Sequence, residues 1–250
     1  MPEDAFELVV ARLDIAPAEL RVAAALLSED EDLRAGRFLL AQERRRFTAA
    51  RAGLRRLLGA RLGASPGSIE FTCGRRGKPA LAGAFAGSGL RFNVSHHGET
   101  VAYAFSDGSD IGVDIEAVRE LPDADEIASC AFSPRERATY FALEARDRPR
   151  AFFDCWTRKE AFVKALGDGL GHGLHGFDVS LAPGEPARIL RVGGLPGERC
   201  GWTLHAFAPA PGMTGAVVVR RSLARAARDA LQPAPVLHDV MEQTHERAAA

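Results

Sequence analysis

The amino-acid sequence predicts an α+β protein. Short stretches with alternating apolar and β-branched residues, such as FELVVARLDI, RFNVSH and GAVVVRR, read as strands. Longer stretches carry apolar residues at helical spacing, as Phe47, Leu54, Leu57, Leu58 and Leu62 do. The two kinds also follow the same order twice, a strand, a helical region and further strands, without any short-period repeat in the residues themselves.

Taken in order, FELVVARLDI is the first predicted strand. The stretch from Ser28 to Gly63 is rich in Ala, Leu and Arg, lacks proline, and reads as helix closed by Gly63 and Ser65-Pro66-Gly67. SIEFTCGRRGKPALAG reads as a short strand, a basic turn and an extended segment. RFNVSHHGETVAYAFSDGSDIGVDIEAV reads as three strands turning at His97-Gly98 and Asp107-Gly108. Ser133-Pro134-Arg135-Glu136 is a helix start, with Ser133 as cap, proline at the first helical position and Glu136 closing a capping box. A helix containing WTRKEAFVK follows, then a glycine-rich loop, and then FDVSL, ARILRVGG, WTLHAFA and GAVVVRR as strands. This order divides the chain into an N-terminal half, 1–110, a C-terminal half, 111–221, and a tail, 222–250, to which no role is assigned.

The 250 residues are 46% apolar and 26% charged, ordinary for a globular protein. A net charge of −1 argues against wholesale coating of nucleic acid, yet the charge is uneven. Residues 33–91 hold thirteen basic residues and two acidic ones, Glu43 and Glu70, an excess of eleven positive charges. Such a block attracts polyanions: a nucleotide with several phosphates, an acidic protein, or RNA. Its aromatic residues are too sparse for the stacking platforms RNA would need. Four scattered cysteines without Cys-x-x-Cys spacing fit neither a zinc site nor a disulfide framework, and point to a reducing cytoplasm. The acidic opening MPEDAFELVV does not read as a signal peptide, and no apolar run approaches the length of a membrane span.

Several motifs could carry chemistry. In IGVDIE, strand alternation puts Asp114 and Glu116 on one face, where two carboxylates can converge on a hard cation such as Mg²⁺. The same pattern fits a half-buried strand with a solvated acidic face. In WTRKEAFVK, Trp156, Glu160 and Lys164 share one helix ridge. Only three of the thirty-two basic residues are lysine, and two of them, Lys159 and Lys164, flank this glutamate. An ordinary Glu–Lys surface pair is one reading. A partly buried carboxylate that needs a cation is the other, because aromatic residues crowd the ridge. In FNVSHHGE, Ser95 and His96 point to opposite faces of a strand, which disfavours a nucleophile–base pair. A polar strand end that bonds a phosphate fits as well. Lys78, between Gly77 and Pro79, can meet a phosphate or simply be an exposed basic turn. His172 and His175 read as loop residues.

Taken together, GKP, FNVSH, GVDIE, FSPRE and WTRKEAFVKALGDGL, in this order and spacing, resemble the Sfp-type 4′-phosphopantetheinyl transferases from LLSEDEDLRAGRF to about Arg220. The resemblance implies two similar α/β-mixed halves forming a pseudo-dimer, with the active site between them, in a chain that works as a monomer. It implies transfer of the 4′-phosphopantetheine arm of coenzyme A to a serine of an apo acyl or peptidyl carrier protein, with release of adenosine 3′,5′-bisphosphate. Such activity serves fatty-acid or secondary-metabolite biosynthesis. By the same resemblance Asp114, Glu116 and Glu160 bind Mg²⁺. Glu160 is also the general base, directly or through a bound water. Lys164 meets the pyrophosphate, His96 meets a phosphate, and Ser95 and Lys78 line the coenzyme A pocket. Arg34 and Arg46 lie near the nucleotide phosphates. Three places depart from the family pattern. Asp32 lies next to a position that is usually basic, His97 stands where Ser or Thr is usual, and GHGLHG replaces a more proline-like loop. Glu136 matches a family glutamate near the site, and its capping role explains it equally well. The rival reading is a non-catalytic nucleotide- or RNA-binding module built on residues 33–91.

Overall fold

The structure, a computed structural model, describes residues 6–74, 77–167, 173–193, 195–196 and 201–221. The N-terminal elements are β1 (Phe6–Arg12), α1 (Pro17–Ala24), α2 (Glu29–Gly36), α3 (Ala41–Leu62), β2 (Phe71–Cys73), β3 (Pro79–Leu81), β4 (Leu90–His97) and β5 (Thr100–Asp107). They are followed by β6 (Ile111–Ala117), α4 (Ala124–Ala131), α5 (Pro134–Ala142), α6 (Arg148–Leu166), β7 (Phe177–Val179), β8 (Ile189–Val192), β9 (Leu195–Pro196), β10 (Trp202–Phe207) and β11 (Met213–Arg220). The tail beyond 221, Arg75, Arg76 and His172 lie outside the described residues.

Two three-stranded antiparallel sheets have the same connectivity. One has the order β1-β5-β4 and the other β6-β11-β10. In each, the first strand pairs with the last, the last pairs with the strand before it, and a long helix, α3 or α6, lies between the first and the middle strand in sequence. The fold is thus α+β and built twice, although the residues of the two halves do not visibly repeat. Alternation along β5 shows how the halves join. Val101, Tyr103 and Phe105 pack with Leu54 and Leu58 of α3 in the core of the first half. Ala102 and Ala104, on the opposite face, pack with Ile111, Val113 and Ile115 of β6 and with Val217 and Val219 of β11. Alanine there lets the sheets approach closely. The second half has its own core around Phe152, Phe162, Phe177, Trp202 and Val218.

The stretch expected as one helix from Ser28 is two, α2 and α3, broken between Arg37 and Leu40. Glu31, buried on α2, bonds Arg55 Nε on α3 at 2.7 Å, and Arg55 also donates to the carbonyls of Pro66 and Ile69. In one continuous helix, residues 31 and 55 would lie about 36 Å apart. The buried charge is satisfied only because the chain folds back. Helices α1 and α4, absent from the sequence reading, are both short; α1 begins with Pro17 at its first turn. The capping box at Ser133 forms as expected: Glu136 N donates to Ser133 Oγ at 3.2 Å, and Ser133 N donates to Glu136 Oε2 at 2.7 Å.

One glycine sets the distance between α6 and β6. A Cβ built on Gly112 would fall on the carbonyl oxygen of Ala161 and the amide nitrogen of Ala165. Gly112 therefore faces α6, and strand alternation turns Asp114 and Glu116 the same way. An isolated glycine within a strand pattern signals such a close approach, and IGVDIE carries one. Gly112→Ala is expected to destabilise the fold by about 1–3 kcal/mol. It should also lower activity further than its stability loss explains, because it moves Glu160 and Lys164 away from Asp114. Denaturant unfolding alongside activity at a temperature where both proteins are folded checks this.

Candidate active site at the seam between the halves

Strands β4 and β6 are the edge strands by which the two sheets meet, and side chains bridge them rather than backbone ladders. Asn93 Oδ1 accepts from Val113 N at 2.9 Å, and Ser95 Oγ donates to Asp114 Oδ1 at 2.9 Å. His97 Nδ1 lies 2.7 Å from Glu116 Oε2. Asn93, Ser95 and His97 alternate along β4 and so share one face. His96 is on the other, which agrees with the sequence argument against a Ser95–His96 pair.

From α6, Lys164 reaches this seam. Its Nζ donates to Asp114 Oδ1 at 2.6 Å and to Ser95 Oγ at 3.1 Å. Asp114 is buried, and its second oxygen, Oδ2, is buried with no hydrogen-bond partner. Glu160, one helical turn before Lys164, has its pKa raised by burial and then by the charge of Asp114, with Glu116 adding and Lys164 opposing. The pKa of Glu116 is raised by burial and by Asp114, against the pull of His97 and Arg119. The charge of Asp114 thus acts on both glutamates, one on β6 and one on α6. Among the described residues, however, no three acidic, histidine or cysteine side chains converge closely enough to hold a metal ion as they stand. Like charges repel, and the Lys164 ammonium already neutralises Asp114.

His96 is exposed. Its pKa is nonetheless lowered, first by desolvation and then by Lys164, Arg46 and His97, with Glu43 opposing. Arg46 is engaged: it bonds Glu99 Oε1 through Nε at 3.0 Å and Glu43 Oε1 through Nη1 at 2.5 Å. Glu99, in the β4–β5 turn, also accepts from Arg45 at 2.7 Å and Gln42 at 2.9 Å. Burial opposes ionisation of Glu99, but these donors outweigh it and bring its pKa down to about 2. Helix α3 thereby clamps the turn that carries His96 and His97.

The remaining candidates have other company. Lys78 donates from Nζ to the carbonyls of Ile111 at 2.9 Å and Lys164 at 2.6 Å, stapling the end of α6 to the start of β6. It lines a cavity of 220 Å³ together with Arg91, Asp110 and Gly167. Arg34 lies on α2 with its guanidinium 5.2 Å over the ring of Phe47, beside a surface hollow it shares with Leu33, Arg37 and Phe38. Lys159 is fully buried: its Nζ lies 2.8 Å from Glu136 Oε2 and donates to the carbonyls of Leu174 and Phe177. Glu136 also accepts from Val179 N at 2.7 Å. Lys159 and Glu136 therefore tie α5, α6 and β7 together inside the packed core. His175 sits in a short 3-10 turn. Sequence reasoning missed Gly112, Glu99 and the bridging roles of Asn93 and His97. The two-residue spacing of Asn93, Ser95 and His97 was the available signal.

The model of the 4′-phosphopantetheinyl transferase superfamily matches residues 110–205, and that of the 4′-phosphopantetheinyl transferase N-terminal region matches residues 14–107. The 4′-phosphopantetheinyl transferase HetI of Nostoc sp. is 42% identical over 177 residues, which is 71% of this chain and 74% of HetI. The chain belongs to the 4′-phosphopantetheinyl transferase superfamily. Other transferases match over shorter spans. The 4′-phosphopantetheinyl transferase AcpT of Salmonella typhimurium is 41% identical over 39% of this chain and 50% of its own. The 4′-phosphopantetheinyl transferase of Bacillus subtilis is 34% identical over 48% of this chain and 50% of its own. The boundary between the two superfamily matches falls between β5 and β6, where the seam begins. No helix among the described residues is long and apolar enough to cross a membrane.

Proposed function

We propose that this phosphopantetheinyl transferase is of the Sfp type. It moves the 4′-phosphopantetheine of coenzyme A onto a serine of an apo acyl or peptidyl carrier protein, as a pseudo-dimeric monomer in the cytoplasm. The observation that carries this reading is the seam itself: Lys164 on Asp114, with burial and the charge of Asp114 raising the proton affinity of both Glu116 and Glu160. The buried, unpartnered Asp114 Oδ2 and the two repelling glutamates fit a hard divalent cation held by oxygen ligands. Asp114, Glu116 and Glu160 would hold Mg²⁺, which would supply Lewis-acid stabilisation to the pyrophosphate.

The chain's own residues do the rest. Glu160, its proton affinity raised by burial, accepts the proton of the carrier serine, directly or through a water. The serine oxygen then bonds the phosphorus bearing pantetheine, and the bond from that phosphorus to adenosine 3′,5′-bisphosphate breaks. Lys164 and His96 face the pyrophosphate as charge moves onto the leaving group. Arg46, held by Glu99 and Glu43, is oriented near the nucleotide phosphates, with Arg34 further out on α2. Ser95 fixes Asp114. Lys78 shapes the coenzyme A pocket by stapling α6 to β6.

The rival reading as a nucleotide- or RNA-binding module loses support from the ion pairs. Arg45, Arg46, Arg51, Arg55 and Arg61 are engaged with Glu99, Glu43, Glu31 and Glu7, so much of the basic stretch is internal bracing. The test is incubation with Mg²⁺, coenzyme A and a panel of apo carrier proteins, read by intact mass. Gain of the phosphopantetheine arm on a carrier serine is expected. No gain on any carrier in the panel overturns the assignment.

A further inference from the structure

Two rungs of the β4–β6 seam, Asn93 to Val113 and Ser95 to Asp114, align β6 and its first carboxylate. His97 is the third. Its Nδ1 is 2.7 Å from Glu116 Oε2.

We propose that His97 is a positioning residue that holds the Glu116 carboxylate in place for the divalent cation. The proposal rests on the transferase reading above. Three features support it. First, the contact is short and joins two separate sheets, so it fixes Glu116 relative to the first half of the chain. Second, His97 itself is held. It ends β4, its partner across the hairpin is Thr100, and the turn runs through Gly98 at φ +55°. That turn is anchored to α3 by the bonds of Glu99 with Gln42, Arg45 and Arg46. Third, the only other charged side chain paired with Glu116 among the described residues is Arg119, at 3.8 Å and half exposed. Arg119 is a loose partner by comparison. Either the neutral Nδ1–H tautomer or the imidazolium donates this bond, so the role does not depend on the charge of His97. Partners that orient a ligating carboxylate typically change metal affinity by about 10–100-fold when removed.

The test is Mn²⁺ binding, read by electron paramagnetic resonance of free Mn²⁺ in the presence of coenzyme A and absence of carrier. Wild type, His97→Ala, His97→Asn and Asp114→Ala are compared. His97→Ala is expected to weaken Mn²⁺ binding by about 10-fold or more. His97→Asn, whose side-chain amide can place a donor near the position of Nδ1, is expected to recover most of that loss. Transfer assays should show His97→Ala raising the Mg²⁺ concentration for half-maximal rate while leaving the rate at saturating Mg²⁺ within about threefold. Equal Mn²⁺ binding by wild type and His97→Ala, with Asp114→Ala weakened, overturns the role of His97 and leaves the transferase reading standing. No Mn²⁺ uptake by the wild type overturns the cation site and, with it, the role of His97.

Discussion

Glu160→Gln is expected to lower phosphopantetheine transfer by about 10²- to 10⁴-fold while leaving the protein at least as stable as before. The two effects have opposite signs for one reason. Glu160 is half-buried, and burial first, then the charges of Asp114 and Glu116, raise its pKa, so its ionised form is disfavoured in the folded protein. The same desolvation makes it a better proton acceptor at neutral pH. Glutamine has the same shape, removes a repelling charge and cannot take a proton. The measurements are kcat/KM with a responsive apo carrier and the denaturant midpoint of the same preparation. Transfer within about threefold of wild type excludes Glu160 as the base. A large fall in midpoint would instead make the glutamate structural.

The second large effect separates two lysines on one helix. Lys159→Ala is expected to destabilise the protein by about 3–5 kcal/mol, because it leaves Glu136 charged and buried without its cation. It also strips two carbonyls, those of Leu174 and Phe177, of a donor. Lys164→Ala is expected to lose less, about 1–3 kcal/mol, since Lys164 is partly exposed even though buried Asp114 loses its cation. Its transfer activity should nevertheless collapse, because the pyrophosphate loses its cation. Urea unfolding of both variants checks the stabilities. The double variant Lys159→Met with Glu136→Gln should recover part of the loss, because it removes both buried charges together. Equal stability of Lys159→Ala and wild type would place Lys159 outside the packed core.

Much of this was legible in the sequence. Strand parity alone put Asp114 and Glu116 on one face and separated Ser95 from His96, since alternation is a property of any extended backbone. Helical spacing put Glu160 and Lys164 one turn apart. The Ser133–Glu136 capping box was written in four consecutive residues, and it formed. What was not legible depended on partners distant in sequence. The break between α2 and α3 has no proline to announce it, and the Glu31–Arg55 pair that it allows joins residues far apart in sequence. Asp114 carries Lys164 on one oxygen, so the carboxylates stand near one another without closing into a ligand set.

By itself, then, the sequence determined the α+β class, the strand and helix faces, and a motif order that resembles one transferase family. The class and the faces follow from local geometry, which repeats every 2 or 3.6 residues whatever surrounds it. The tertiary structure alone decided which charges are available. Lys159 and Lys164 are five residues apart and so point about 140° away from each other around α6. Packing of that helix against β6, made possible by Gly112, turns one lysine into the core and the other to the seam.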